Sequence, residues 1–157
     1  MNKKIIFLLI ICFSIQPVFA VPKNLPVPRF VTIKFNEVNA RVGPEKDCPI
    51  EWVFIKKGEP VEVVAEYEQW RKIVDAHGEG GWVHSSVVSG KRSVIVQTKE
   101  TIALRSSLSD NSNIVAYLKP NLRCNLLKCK EKWCKVSCQN KKGWLSRKYL
   151  WGVYPEE

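Results

Sequence analysis

Val38-Asn39-Ala40-Arg41, Trp70-Arg71-Lys72-Ile73 and Gly81-Trp82-Val83-His84 decide the reading of this chain, because each returns later in the same order. The second occurrences are Ile102-Ala103-Leu104-Arg105, Trp133-Cys134-Lys135-Val136 and Gly143-Trp144-Leu145-Ser146. The offset is 64 residues at the arginine (105 − 41), 63 at the first tryptophan (133 − 70) and 62 at the second (144 − 82). Two one-residue loop deletions explain the drift, and an internal repeat of this length predicts two copies of one structural unit.

Each copy reads as strand and turn. Val61-Glu62-Val63-Val64-Ala65-Glu66 has a period near two, with Gly58-Glu59-Pro60 before it and the polar Tyr67-Glu68-Gln69 after it. That is the pattern of a half-buried strand. A strand from Trp70 to Val74, a glycine-rich turn over 76–80 and a returning strand at 81–84 complete a meander. The second copy offers strands over 122–129, 133–137 and 143–145, with a turn over 139–142. No segment holds a 3.6-residue period over ten residues. The expectation is an all-β protein of two tandem small barrels, module 1 over 31–90 and module 2 over 91–152, joined near Ser89-Gly90-Lys91-Arg92, with a tail over 153–157.

The residues before module 1 read differently. Asn2-Lys3-Lys4, the apolar run 5–15 and Val18-Phe19-Ala20 have the layout of a secretory signal over 1–20, cleaved after Ala20. The run is shorter than the roughly 20 apolar residues that span a bilayer, so no stable membrane anchor is expected after cleavage. A lipoprotein reading of Cys12 fails because Ile11, not a small residue, precedes it. Pro22, Pro26 and Pro28 make 21–30 an extended tether. Subtracting 20 from 157 leaves 137 residues, and two units of ~60 residues would each be marginal alone.

Charge divides the copies. Residues 21–90 carry nine Lys or Arg against ten Asp or Glu, a net of −1, whereas residues 91–157 carry fourteen against five, a net of +9. The basic half suggests nucleic acid, but export argues against that partner.

The motif set Val38-Asn39-Ala40-Arg41-Val42-Gly43-Pro44, Lys57-Gly58-Glu59-Pro60-Val61, Trp70-Arg71-Lys72-Ile73 and Gly81-Trp82-Val83-His84 resembles the bacterial SH3-like domain pattern over about 31–90, with a looser version over 93–152. Module 2 departs at Ser106-Ser107, which follow Arg105, and at Lys119-Pro120-Asn121 in place of Lys-Gly. The resemblance implies two SH3-like barrels of five or six strands each, serving as accessory modules that hold cell-wall material or protein segments, without catalysis.

Five cysteines lie after the signal. Export favours disulfides. Across the 133-centred hairpin, 129 + 134 gives 263 and 124 + 138 gives 262, so Cys129–Cys134 and Cys124–Cys138 nearly share one register. The mismatch demands a bulge or twist for the second pair. The competing reading is a four-thiolate metal site, for which the C-x4-C-x4-C-x3-C spacing is poor. Cys48 is left over, as a free thiol or as the link of a disulfide-bonded dimer.

Among the aromatics, Trp82 and Trp144 read as core or edge-of-core residues, whereas Trp70 and Trp133 open a strand after a polar loop and read as half-exposed contact residues. Tyr67 shares the first loop, and Lys128, Lys130, Lys132 and Lys135 are expected to surround Trp133. The ligand-binding candidates are Tyr67, Trp70, Lys130, Lys132 and Trp133, suited to an anionic or carboxylate-bearing ligand. A solvated lysine-rich hairpin is the competing reading. H-E-x-x-H, G-x-S-x-G and phosphate-binding glycine loops are absent, and the histidines are His77 and His84. The expectation is a periplasmic or secreted, non-catalytic binding protein without cofactor or metal. Its partner would be cell-wall peptidoglycan or, alternatively, another envelope protein that it supports or regulates.

Overall fold

A computed structural model describes residues 25–157; the expected signal and the start of the tether lie outside the described residues. The first unit is a seven-stranded antiparallel sheet of β1 (Arg29–Ile33), β2 (Val38–Arg41), β3 (Ile50–Phe54), β4 (Pro60–Tyr67), β5 (Trp70–Val74), β6 (Gly80–His84) and β7 (Val88–Ser89). Its strand order is β3-β2-β6-β5-β4-β1-β7. The second unit is built from β8 (Ser93–Val96), β9 (Ile102–Arg105), β10 (Ile114–Leu118), β11 (Arg123–Lys130), β12 (Trp133–Cys138), β13 (Lys141–Ser146) and β14 (Leu150–Trp151). Its order, β10-β9-β13-β12-β11-β8-β14, repeats the first with seven added to every label. Helical structure among the described residues is confined to two 3-10 turns, Ser85–Val87 and Arg147–Tyr149. The fold is all-β, in two tandem copies.

Each sheet encloses its own apolar cluster. Val31, Ile33, Ala40, Phe54, Val61, Ile73 and Val83 fill the first. Val94, Val96, Leu104, Leu118, Cys124, Val136 and Leu145 take the corresponding places in the second, 62 to 64 residues on. The alternation of strands places every other side chain inside, which is why the repeat is most faithful at these positions.

Close approach of backbones explains the glycine before each second tryptophan. A Cβ on Gly81 would lie 2.7 Å from the carbonyl oxygen of Arg41, and Gly81 itself has φ +134°. A Cβ on Gly143 would lie 2.7 Å from the carbonyl oxygen of Arg105. In both copies this lets Arg and Trp face each other across the strands, Arg41 opposite Trp82 and Arg105 opposite Trp144. The arginines then brace the long loop that follows. Arg41 Nη1 donates to the Cys48 carbonyl at 2.6 Å, and Arg105 Nη1 donates to the Ser112 carbonyl at 2.9 Å, each seven residues ahead.

Both disulfides of the 123–138 hairpin are present, Cys124–Cys138 and Cys129–Cys134. The register slips between Leu126 and Lys128, a β-bulge that changes the pair sum from 262 (126 + 136) to 263 (128 + 135) and brings both pairs into line. Cα separations of 4.5 and 4.0 Å suit non-hydrogen-bonded cross-strand neighbours. The four sulfurs of module 2 are thus joined in two pairs. Cys48 is a free, half-buried thiol in the β2–β3 loop.

The two units pack on each other through residues expected to be tether and tail. Arg29 and Phe30 belong to β1, and Phe30 is buried at 8 % exposure. Its ring meets Trp151 edge-on at 5.0 Å and Tyr154 at 4.7 Å, with the Arg92 guanidinium 5.5 Å from its centre. The Tyr154 hydroxyl donates to Glu62 at 2.6 Å. Thr32 and Ser93 share a hydroxyl hydrogen bond of 2.7 Å, and Arg123 pairs with the buried carboxylate of Glu59. Residues 153–157 are therefore a strap folded back on the body. Arg147 fixes that strap through the carbonyls of Tyr154, Pro155 and Glu157.

Candidate functional site

A groove of about 430 Å³ runs along the first unit, lined by Glu37, Val38, Asn39, Arg41, Lys46, Trp70, His84 and Val87. Three elements converge there. The β2 start and the braced β2–β3 loop form one side, Trp70 at the head of β5 forms the floor, and the end of β6 with its 3-10 turn forms the other side. Trp70 stands edge-on to the His84 ring with centroids 5.8 Å apart. His84 Nδ1 lies 2.8 Å from Ser86 Oγ and accepts from the Ser86 backbone N–H at 3.3 Å. This local contact caps the 3-10 turn and fixes the imidazole as a wall of the groove.

The second unit has a groove of about 660 Å³ at the same place. Four of its residues map onto the first groove by the offsets of the repeat, Lys46 to Asp110 (64), Trp70 to Trp133 (63), His84 to Ser146 (62) and Val87 to Tyr149 (62), whereas the side formed by Glu37, Val38, Asn39 and Arg41 has no counterpart in its lining. Its rim carries Glu131, Lys132, Arg147 and Lys148, and the strap supplies a further wall through Val153 and Pro155. Each groove thus sets tryptophan and aliphatic or tyrosine side chains beside polar and charged rims.

The structure brings Trp70, Lys132 and Trp133 of the candidate residues to grooves and leaves Tyr67 and Lys130 outside the groove linings. Tyr67, 54 % exposed, sits at the β4–β5 hairpin tip opposite Trp70. Lys130 is exposed and registered opposite Trp133. Trp133 itself needs correction, because it is only 3 % exposed where half exposure was expected. It lies beside the folded-back strap and the 3-10 turn, so its ring is a wall seen from within the groove. Trp70 lacks such a strap and is half-buried as expected.

The lysines are also placed differently. Lys128 and Lys135 do not surround Trp133. Their ammonium groups lie 5.8 and 5.9 Å from the centre of the Trp144 ring. Trp144 is 8 % exposed and Trp82 half-buried, yet neither joins an interior cluster. Both alternate with the inward Val83 and Leu145 and stand on the outer face of the sheet, where neighbouring side chains cover them. His84, Ser146, Val87 and Tyr149 were missed as groove residues. Their signal was available in the constant offset from each tryptophan.

The bacterial SH3 domain family matches this chain twice, over residues 34–90 and 98–152. The chain belongs to that family. Its two SH3 domains place their paired grooves at equivalent positions. The chain is 26 % identical over 164 residues to a Bacillus subtilis (strain 168) protein named "Putative N-acetylmuramoyl-L-alanine amidase YrvJ", covering 96 % of this chain and 31 % of that protein. It therefore spans about a third of the length of that relative. Among solved structures, NlpC2 from Trichomonas vaginalis overlaps 83 % of this chain and 50 % of its own at 11 % identity, TM-score 0.38. An NlpC/P60 family protein from Bacillus cereus ATCC 10987 overlaps 78 % and 55 % at 15 % identity, TM-score 0.33. At these TM-scores neither overlap carries an argument about this chain.

Proposed function

We propose that this chain is an exported, non-catalytic binding protein of the bacterial envelope, periplasmic or secreted, whose two SH3 domains hold peptide segments of peptidoglycan. The observation that carries this reading is the recurrence of a tryptophan-lined groove at equivalent positions in both domains. Supporting it are the amidase name borne by the Bacillus relative, the two disulfides, which suit an oxidising compartment, and the leader-like start of the chain. Rims of mixed charge, Glu37 with Lys46 and Asp110 with Lys132, suit a ligand that carries both carboxylates and amines, as short wall peptides do.

Purified sacculi incubated with the protein provide the test. The expected result is co-sedimentation that persists in part at raised salt, where screening leaves the apolar floor as the main attraction, with no release of soluble wall fragments. Release of fragments would overturn the non-catalytic reading. Absence of enrichment at any salt, together with one dominant protein adduct after crosslinking in intact cells, would replace wall recognition with docking on another envelope protein.

A further inference from the structure

Across the outer face of the second SH3 domain, four strands place Arg105, Trp144, Lys135 and Lys128 in one registered row. Arg105 is opposite Trp144, Trp144 opposite Lys135, and Lys135 opposite Lys128. Two lysines directly opposed across a sheet repel each other, and the four ion pairs among the described residues all use arginines elsewhere. The Trp144 ring holds both ammonium groups within 6 Å of its centre. It thereby fixes two positive charges side by side at a cation–π distance. On the same face, the adjoining row of Asn125, Ser137 and Lys142 supplies neutral hydrogen-bonding groups and a further cation.

The first domain lacks this cluster. Its equivalent row is Arg41, Trp82, Lys72 and Ala65, with alanine where the second has Lys128. The +9 net charge of residues 91–157 against −1 for 21–90 adds a long-range field of the same sign.

We infer that this face is a second binding surface, separate from the grooves, for an anionic polysaccharide. Lysines read charge as point cations without demanding the planar fork geometry that arginine imposes. A linear polymer with repeated anions satisfies several of them at once. A nucleic acid strand is the poorer occupant, because it takes its affinity in large part from stacking on open aromatic faces, and Trp144 is closed at 8 % exposure. The anion is a carboxylate of a uronate chain or a phosphate of a phosphorylated glycan, and the assay separates the two.

The test measures binding to polygalacturonate and to phosphomannan, with neutral dextran and a single-stranded oligonucleotide beside them. Lys128→Gln with Lys135→Gln removes both charges and keeps most of each stem over Trp144; its urea midpoint should match that of the unmodified protein. We expect at least tenfold weaker binding to whichever anionic glycan is preferred. The slope of log K against log salt should flatten, because two cationic contacts that release counterions are lost. Lys56→Gln with Lys57→Gln, an equal loss of charge on the first domain, should change binding less than twofold, and Ala65→Lys should strengthen it. Equal weakening by the two lysine pairs, equal binding of dextran, or tight binding of the oligonucleotide with neither glycan bound would overturn the inference. Sacculus binding through the grooves is read separately, so either reading can fail alone.

Discussion

Removing the two disulfides one at a time should cost unequal amounts, and the inequality follows from loop length. Cys124–Cys138 spans a separation of 14 residues and Cys129–Cys134 one of five. Treating each bond as a constraint on the unfolded chain, Cys124→Ala with Cys138→Ala should lower stability by about 3 kcal/mol and Cys129→Ala with Cys134→Ala by about 2. Packing adds to the gap only modestly, since Cys124 and Cys138 are both buried in the interior cluster, whereas of the short-loop pair Cys134 is buried there and Cys129 lies at its edge. A single small core of this size supplies roughly 3 to 5 kcal/mol, so the first variant should stand close to unfolding at 25 °C. Urea titration followed by tryptophan fluorescence reads this directly. With a slope of about 1.5 kcal/mol per molar, the midpoint should fall by about 2 M for the first variant and by clearly less for the second. A loss under about 0.5 kcal/mol for Cys124→Ala with Cys138→Ala, or a larger loss for the short loop, would refute the assignment of the long-loop bond as the staple of the second core.

Three further outcomes follow from the geometry. Gly81→Ala should cost about 1 to 3 kcal/mol, because its Cβ would meet the Arg41 carbonyl at a positive φ, whereas Gly90→Ala, which meets nothing within 4 Å, should be near neutral in the same unfolding assay. Burial, then the hydrogen bond to Glu62, pushes the Tyr154 phenol well above its ordinary value. The fold therefore favours the protonated form: its contribution is complete below the unfolded-state value of about 10 and declines as pH rises through and beyond it. Melting temperatures measured from pH 8 to 11 should drop at the alkaline end, and Tyr154→Phe should flatten that drop. Trp70→Ala should weaken sacculus binding about tenfold or more, as expected for an aromatic groove floor, while leaving the urea midpoint of the second domain unchanged.

Much of the fold was legible because the repeat marks positions where strands touch. Arg41, Gly81 and Trp82 recur as Arg105, Gly143 and Trp144 since the backbone of β6 or β13 must pass within contact distance of the arginine strand. The cysteine sums exposed a register and its one-residue fault, and the fault is the bulge after Leu126. What escaped depends on segments with no period. The proline-rich start gave no sign that Phe30 would be clasped between Trp151 and Tyr154. Nor did 153–157 announce that Arg147 would hold its carbonyls and that Val153 and Pro155 would line one groove with Trp133. The lysines near Trp133 in sequence serve Trp144 instead, because the bulge and the cross-strand register decide which ring they cover.

Which tryptophans meet the ligand decides whether the paired grooves are the binding sites. Titrating soluble wall-peptide fragments into ¹⁵N-labelled protein, and following the indole N–H signals of its six tryptophans, separates groove from surface. Shifts concentrated at Trp70 and Trp133, with Trp82 and Trp144 still, are the predicted result. Shifts confined to Trp52, Trp82, Trp144 or Trp151, or none at saturating fragment, would contradict the claim that the paired grooves are the binding sites.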